Sequence, residues 1–187
     1  MNIILIDPGH GGRDPGATSE CDSIRESDLN LRVSLALAQA LQDRGFVPIL
    51  TRYVDTDLGL DGRCLLEHTI KPRAFVSIHQ NGHADSQANG FEVWTSPGQT
   101  GADSLAEAIH RRLDDRTILA ARVDWSDGDR DKEGHLAVLA GTFCPAVLVE
   151  CGFVTNDRDL AILLDSRTRA TIVDSIADGI ECWVEGA

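Results

Sequence analysis

The chain has 187 residues, 42% hydrophobic and 25% charged, a size and balance that suit one globular domain with its own core. Thirty Asp and Glu against 17 Lys and Arg give a formal charge of -13, which argues against sequence-independent nucleic-acid binding and against electrostatic attachment to an anionic membrane. No run of about 18 apolar residues exists to span a bilayer. The N-terminus runs straight into Asn2-Ile3-Ile4-Leu5-Ile6, with no basic region or long apolar stretch of an export signal, so the expectation is a protein cytoplasmic as synthesised. Five cysteines, Cys21, Cys64, Cys144, Cys151 and Cys182, make neither a CxxC pair nor an even set, so most read as small buried hydrophobes rather than disulfides or a thiolate metal site.

The elements alternate. A first strand is predicted over 2–7, followed by a Gly-rich loop to about residue 23. Helical spacing of Leu31, Leu35, Ala38 and Leu41 predicts a helix over about 27–44, supported by an Asp28–Arg32 pair and capped by Gly45. A strand over 46–51, a polar loop over 55–59 and a helix over about 60–70 ended by Pro72 come next. Residues 74–78 form a nearly continuous apolar strand of the central, parallel kind. A strand over 90–95 and a helix over about 102–113 follow, with Leu105, Ile109 and Leu113 on one face. The acid-rich stretch 124–133 reads as a solvated loop, and 135–140 and 146–150 read as two further strands. Asn156 caps a short helix over 157–164, and a last helix over about 166–184 turns Ile172, Ile176 and Ile180 inward. This is an α/β pattern: one three-layer domain, a mostly parallel twisted sheet of about six strands with helices on both faces.

Three predicted strands run into polar residues that can bind a metal or move a proton: Asp7 with His10, His79 with Asn81, and Glu150. If these strands are parallel, their carboxyl ends share the sheet edge where open α/β folds bind ligands. Two histidines and a carboxylate with an open position describe a catalytic zinc site. Each group alone has a plainer reading. A histidine at a strand end is commonly structural, and Glu26 at a helix start suits the helix dipole. The glycines Gly9, Gly11, Gly12 and Gly16 suggest a phosphate loop, but no Gly-Lys-Ser/Thr follows and no GxGxxG fits. His68, His83 and His110 read as surface or loop residues.

Six motifs in order decide between these readings: Asp7-Pro8-Gly9-His10-Gly11-Gly12 with Asp14, Gly16 and Ala17; Glu26-Ser27-Asp28-Leu29-Asn30-Leu31; Leu50-Thr51-Arg52; Ser77-Ile78-His79-Gln80-Asn81; Gly90-Phe91-Glu92-Val93; and residues 145–153, which hold Glu150, with Asn156 beyond them. In these the chain resembles the zinc-dependent N-acetylmuramoyl-L-alanine amidases, over nearly its whole length. The resemblance implies one zinc ion per chain on His10, Glu26 and His79, and Glu150 as the catalytic general base and acid. It implies cleavage of the amide between N-acetylmuramic acid and the L-Ala of the stem peptide in peptidoglycan. Asp7, Asp14 and Asn81 are candidates for orienting the ligands, and His135 for touching the muropeptide substrate.

A chain of this length is filled by a single catalytic domain over 1–187 without a separate wall-binding domain, and it is expected to be a monomer. Without an export signal, the expected origin is a phage or prophage endolysin that reaches the cell wall at lysis; the alternative is a domain excised from an exported enzyme. The span from His79 to Glu150 leaves little room for the blocking helix some family members insert, so an open site is expected. Two rival functions remain at this point: a catalytically silent peptidoglycan-binding module, and a zinc hydrolase of a different amide.

Overall fold

A strand covered on both faces must be apolar on both, and β1 (Ile3–Pro8) and β3 (Ala74–Asn81) begin that way. The computed structural model, which describes residues 2–20, 23–126 and 128–186, joins them to β2 (Val47–Leu50), β4 (Glu92–Thr95), β5 (Lys132–Glu133) and β6 (Ala146–Phe153). The sheet order is β2-β1-β3-β6-β4-β5, parallel at every step except the antiparallel β4–β6 pair. Strand alternation assigns the faces. Ile4, Ile6, Val76, Ile78, Val147 and Val149 enter the larger core, under α1 (Glu26–Asp43), α3 (Asp103–Arg116), α5 (Asp157–Leu164) and α6 (Ser166–Gly186). Leu5, Phe75, Ala146 and Leu148 face the smaller core, under α2 (Leu60–Ile70) and α4 (Ala137–Ala140).

The helix ends follow their sequence signals. Gly45 adopts φ 82° behind α1, and Asn156 accepts from the backbone N–H groups of Arg158 and Asp159 at the start of α5. Ile172, Ile176 and Ile180 are fully buried in α6, as are Leu105, Ile109 and Leu113 in α3. Truncating one of these to Ala costs roughly 2–5 kcal/mol.

Several expectations need correction. The buried stripe of α1 is Leu29, Val33, Leu37 and Leu41, while Leu35 is 43% exposed. Asp28 pairs with Arg25 rather than Arg32, through bonds of 2.7 and 2.9 Å. Residues 135–140 do not form a strand: α4 occupies 137–140, and the fifth strand is the two-residue β5 before it. The acidic stretch is not wholly solvated, since Asp131 is buried and accepts from Thr95 Oγ1 at 2.5 Å. Cys151 is buried, but Cys64 and Cys144 are half-buried and Cys182 is exposed. His110 lies fully buried in α3, against Phe91. The expectations for Cys21 and for Asp127 of the acidic stretch lie outside the described residues.

Alternation also places the chemistry. On β3, Phe75 faces the smaller core, so His79 lies on that side; on β6, Leu148 does, so Glu150 lies there too. The register aligns His79 with Glu150 and Glu150 with Glu92, so three polar side chains cross adjacent strands in one row.

Candidate metal centre

Three elements deliver the cluster. The loop after β1 carries His10 in the left-handed region, φ 58°, which costs a non-glycine residue of order 1–3 kcal/mol. Gly9 N–H donates to Ile78 O at 3.0 Å, tying this loop to β3 and hence to His79. Glu26 is the first residue of α1, and its backbone N–H donates to Ala17 O at 2.8 Å.

The side chains converge on Glu26 Oε1. His79 Nδ1 lies 2.8 Å from it and His10 Nε2 3.2 Å, and the three donor atoms all lie within 4.8 Å of one another. Zinc bonds of ~2.0–2.1 Å in tetrahedral geometry place neighbouring donors roughly 3.3 Å apart, so this cluster fits with little adjustment. His10 and Glu26 are also oriented from behind. Asp14 Oδ2 sits 2.7 Å from His10 Nδ1, which turns Nε2 toward the cluster. Ala17 N–H fixes Glu26 Oε2 at 2.8 Å, and Asn30 Nδ2 donates to Oε1 at 3.2 Å. Glycine is required at two contacts: a Cβ on Gly9 would fall 2.2 Å from His79 Nε2, and one on Gly16 2.4 Å from Glu26 Oε2.

The electrostatics favour positive charge here. The hydrogen bond to Glu26 lifts the His10 imidazole to about 9 against the cost of burial, with Asp14 assisting. Burial pushes the Glu26 carboxyl up, but hydrogen bonds with His10 and His79 prevail and hold it well below the usual carboxylate range. A divalent cation would replace the protons that the cluster otherwise gathers.

Glu150 is placed differently. Its Oε2 is buried with no hydrogen-bond partner, and burial, then Glu26 and Glu92, raise its pKa well above the ordinary value. Glu92 is fully paired: it accepts from Arg122 Nε at 2.6 Å, Lys132 Nζ at 2.8 Å, Trp94 Nε1 at 3.0 Å and Asn81 Nδ2 at 3.1 Å. Asn81 thus serves Glu92. Asp7 is buried and accepts from Thr51 Oγ1 at 2.6 Å, Ser77 Oγ at 2.8 Å and Arg63. His135 is exposed in the β5–α4 connection. His83 caps a loop turn through Asp85 N–H, and His68 stacks on Phe143.

A cavity of about 530 Å³ opens onto His10 and His79, with Leu58, Leu60, Leu136 and Val138 in its wall. It offers a polar floor and an apolar side to a ligand. Arg63, Arg52 and Glu92 are the parts that sequence reasoning left without a role. The signal for Arg63 was faint, a lone arginine in an otherwise ordinary helix turn.

Comparison with known proteins fits this geometry. Residues 4–182 match the profile of a family described as N-acetylmuramoyl-L-alanine amidase. The "Probable cell wall amidase LytH" of Staphylococcus epidermidis is 33% identical over 180 residues, covering 95% of this chain. The chain spans 57% of the length of that relative. Among solved structures, the catalytic domain of the amidase CwlV from Bacillus (Paenibacillus) polymyxa superposes with a TM-score of 0.88 at 30% identity, covering 99% of each chain. The CwlD amidase of Clostridioides difficile, solved in complex with the GerS lipoprotein, gives 0.90 at 27% identity, covering 100% of each chain.

Proposed function

The chain belongs to the N-acetylmuramoyl-L-alanine amidase family, and on that premise we propose that it hydrolyses the amide joining the lactyl group of N-acetylmuramic acid to the L-Ala of the peptidoglycan stem peptide. His10 Nε2, Glu26 Oε1 and His79 Nδ1 would hold one zinc ion, leaving a fourth position open. Bound there, zinc supplies Lewis acidity, lowering the pKa of a water toward neutrality and polarising the scissile carbonyl.

The remaining work falls to the protein. Glu150 stands beside His79 in register, with an unpartnered carboxyl oxygen ready to accept a proton from the attacking water. It then passes that proton to the leaving nitrogen, so the C–N bond breaks, the hydroxyl stays on the lactyl carbon and the proton leaves with L-Ala. Glu92 remains locked by its four donors and is not free to exchange a proton. Asp14 keeps the His10 ring turned for ligation. The cavity bordered by Leu58, Leu136 and Val138 gives the substrate a partly apolar bed next to the ligands.

One observation carries the reading. An N, N, O donor set of metal-binding dimensions lies at one sheet edge with the half-buried Glu150, whose buried Oε2 has no hydrogen-bond partner. The test is digestion of purified peptidoglycan followed by mass spectrometry. New L-Ala amino ends and free muramic lactyl carboxyls are expected, abolished by chelator and restored by zinc. Co-sedimentation with walls without turnover would instead mark a silent binding module, and release of other amino ends a hydrolase of a different amide.

A further inference from the structure

The Leu50-Thr51-Arg52 motif has no part in the chemistry above, yet it lies directly under the loop that carries His10. Arg52 and Arg63 are 2% and 4% exposed, unusual for arginines. Their donors go to main-chain carbonyls. Arg52 Nε donates to Pro8 O at 2.9 Å, and its Nη2 to Gly9 O at 2.9 Å and Ser27 O at 2.8 Å. Arg63 Nη1 donates to Pro8 O at 2.8 Å and its Nη2 to His10 O at 2.8 Å. Two guanidinium forks thus hold three consecutive carbonyls, those of residues 8, 9 and 10. Asp7 is the counter-ion of Arg63 and is itself fixed by Thr51 and Ser77.

The arrangement matters because His10 is the one ligand in a left-handed backbone conformation. With φ 58°, it persists only where the surroundings favour it over the relaxed alternatives. Three carbonyls turned inward provide that preference only if each finds a buried donor. The same forks connect the ligand-bearing segments: Arg52 spans Gly9 and the first turn of α1 through Ser27, one residue from Glu26. A lysine keeps the charge but presents a single ammonium, which cannot reproduce the planar fork.

We propose that Arg52 and Arg63 are positioning residues that clamp the 8–10 carbonyls and thereby hold His10 in the conformation that lets it ligate the metal. The proposal rests on the reading of His10, Glu26 and His79 as a zinc site.

The experiment uses the full chain loaded with zinc, comparing wild type, Arg63→Lys and Arg52→Lys. Zinc affinity is measured by competition with a chromophoric chelator, and imidazole ¹⁵N shifts report which ring nitrogens are metal-bound. In wild type, both His10 Nε2 and His79 Nδ1 carry the bound signature; a wild type that takes up no zinc refutes the metal-site reading itself. In the Lys variants, affinity falls about 10–100-fold, the range of supporting partners around a ligand, and the His10 signature is lost while that of His79 stays. Retention of both signatures with unchanged affinity overturns the proposal. Joint loss of both signatures, or failure of both variants to fold, also overturns it, because the arginines then support the fold at large rather than His10.

Discussion

The start of α1 and the end of β6 each bring one glutamate to the same sheet edge, and their surroundings drive the two in opposite directions. Glu26 meets two imidazoles, the Ala17 N–H and the Asn30 amide, and its carboxylate is held ionised. Glu150 meets burial and the charges of Glu26 and Glu92, with no donor on Oε2, and its pKa is pushed well above the ordinary carboxylate value, toward the range where a carboxyl can both take up and give back a proton. A carboxylate surrounded by donors and cations suits the proposed role of ligand; one left bare beside other carboxylates suits that of proton carrier.

The sharpest way to break this contrast is to neutralise each glutamate in turn. Glu150→Gln should lower kcat/KM on muropeptides by about 10²–10⁴-fold, the usual range for general acid–base catalysis, while zinc content stays near that of wild type. Glu26→Gln should lose zinc first and activity with it. Its affinity loss should exceed the ~10–100-fold expected for a mere supporting partner, as read by metal analysis after dialysis. If either variant behaves like the other, the division of roles fails. Asp14→Asn removes the charge behind His10 but keeps its shape, and should weaken zinc binding by roughly 10–100-fold without a change of fold.

The smallest effect concerns the metal-free protein. The raised His10, about 9 against an ordinary 6.5, contributes stability that is complete below pH 6.5 and is lost as pH rises through about 9. Glu26, held low, contributes above its ordinary 4.5 and loses it as pH falls. Glu150, held high, has the opposite sign and costs stability increasingly as pH rises above 4.5. The melting temperature of metal-free protein should therefore fall from pH 6.5 to 9, by on the order of 2–4 °C per kcal/mol lost. Glu150→Gln should flatten the part that begins near 4.5, and saturating zinc should flatten the His10 part. Differential scanning calorimetry across pH distinguishes the two.

Much of this was legible because it depends on local chemistry. The strand over 2–7, Gly45 and Asn156 as helix punctuation, and the stripe Leu105-Ile109-Leu113 all follow from period and cap. The ordered motifs pointed to His10, Glu26, His79 and Glu150 as one group. Most of the failures share a cause, which is that burial was not where polarity suggested. In α1 the spacing at 31, 35, 38 and 41 competes with that at 29, 33, 37 and 41, and the buried face of the latter also carries Ser27, Asn30 and Ser34. The polar flank hid the true stripe. Residues 135–140 are too short an apolar run to tell a strand from a turn of helix. His110, Arg52 and Arg63 are buried polar residues whose partners lie far along the chain, beyond any local pattern.

The sheet order has a consequence for synthesis. β6 is the last strand made, yet it lies between β3 and β4. Until it inserts, β4 and β5 have no bridge to the β2-β1-β3 half, and Glu150 is not beside His79. A chain still on the ribosome short of residue 150 can carry the three proposed metal donors without the proposed proton carrier. Joining the sheet is a late, long-range event. Under the proposed mechanism, hydrolytic competence therefore arrives with the closing strand, and a nascent chain short of it is expected to be inert toward the cell wall.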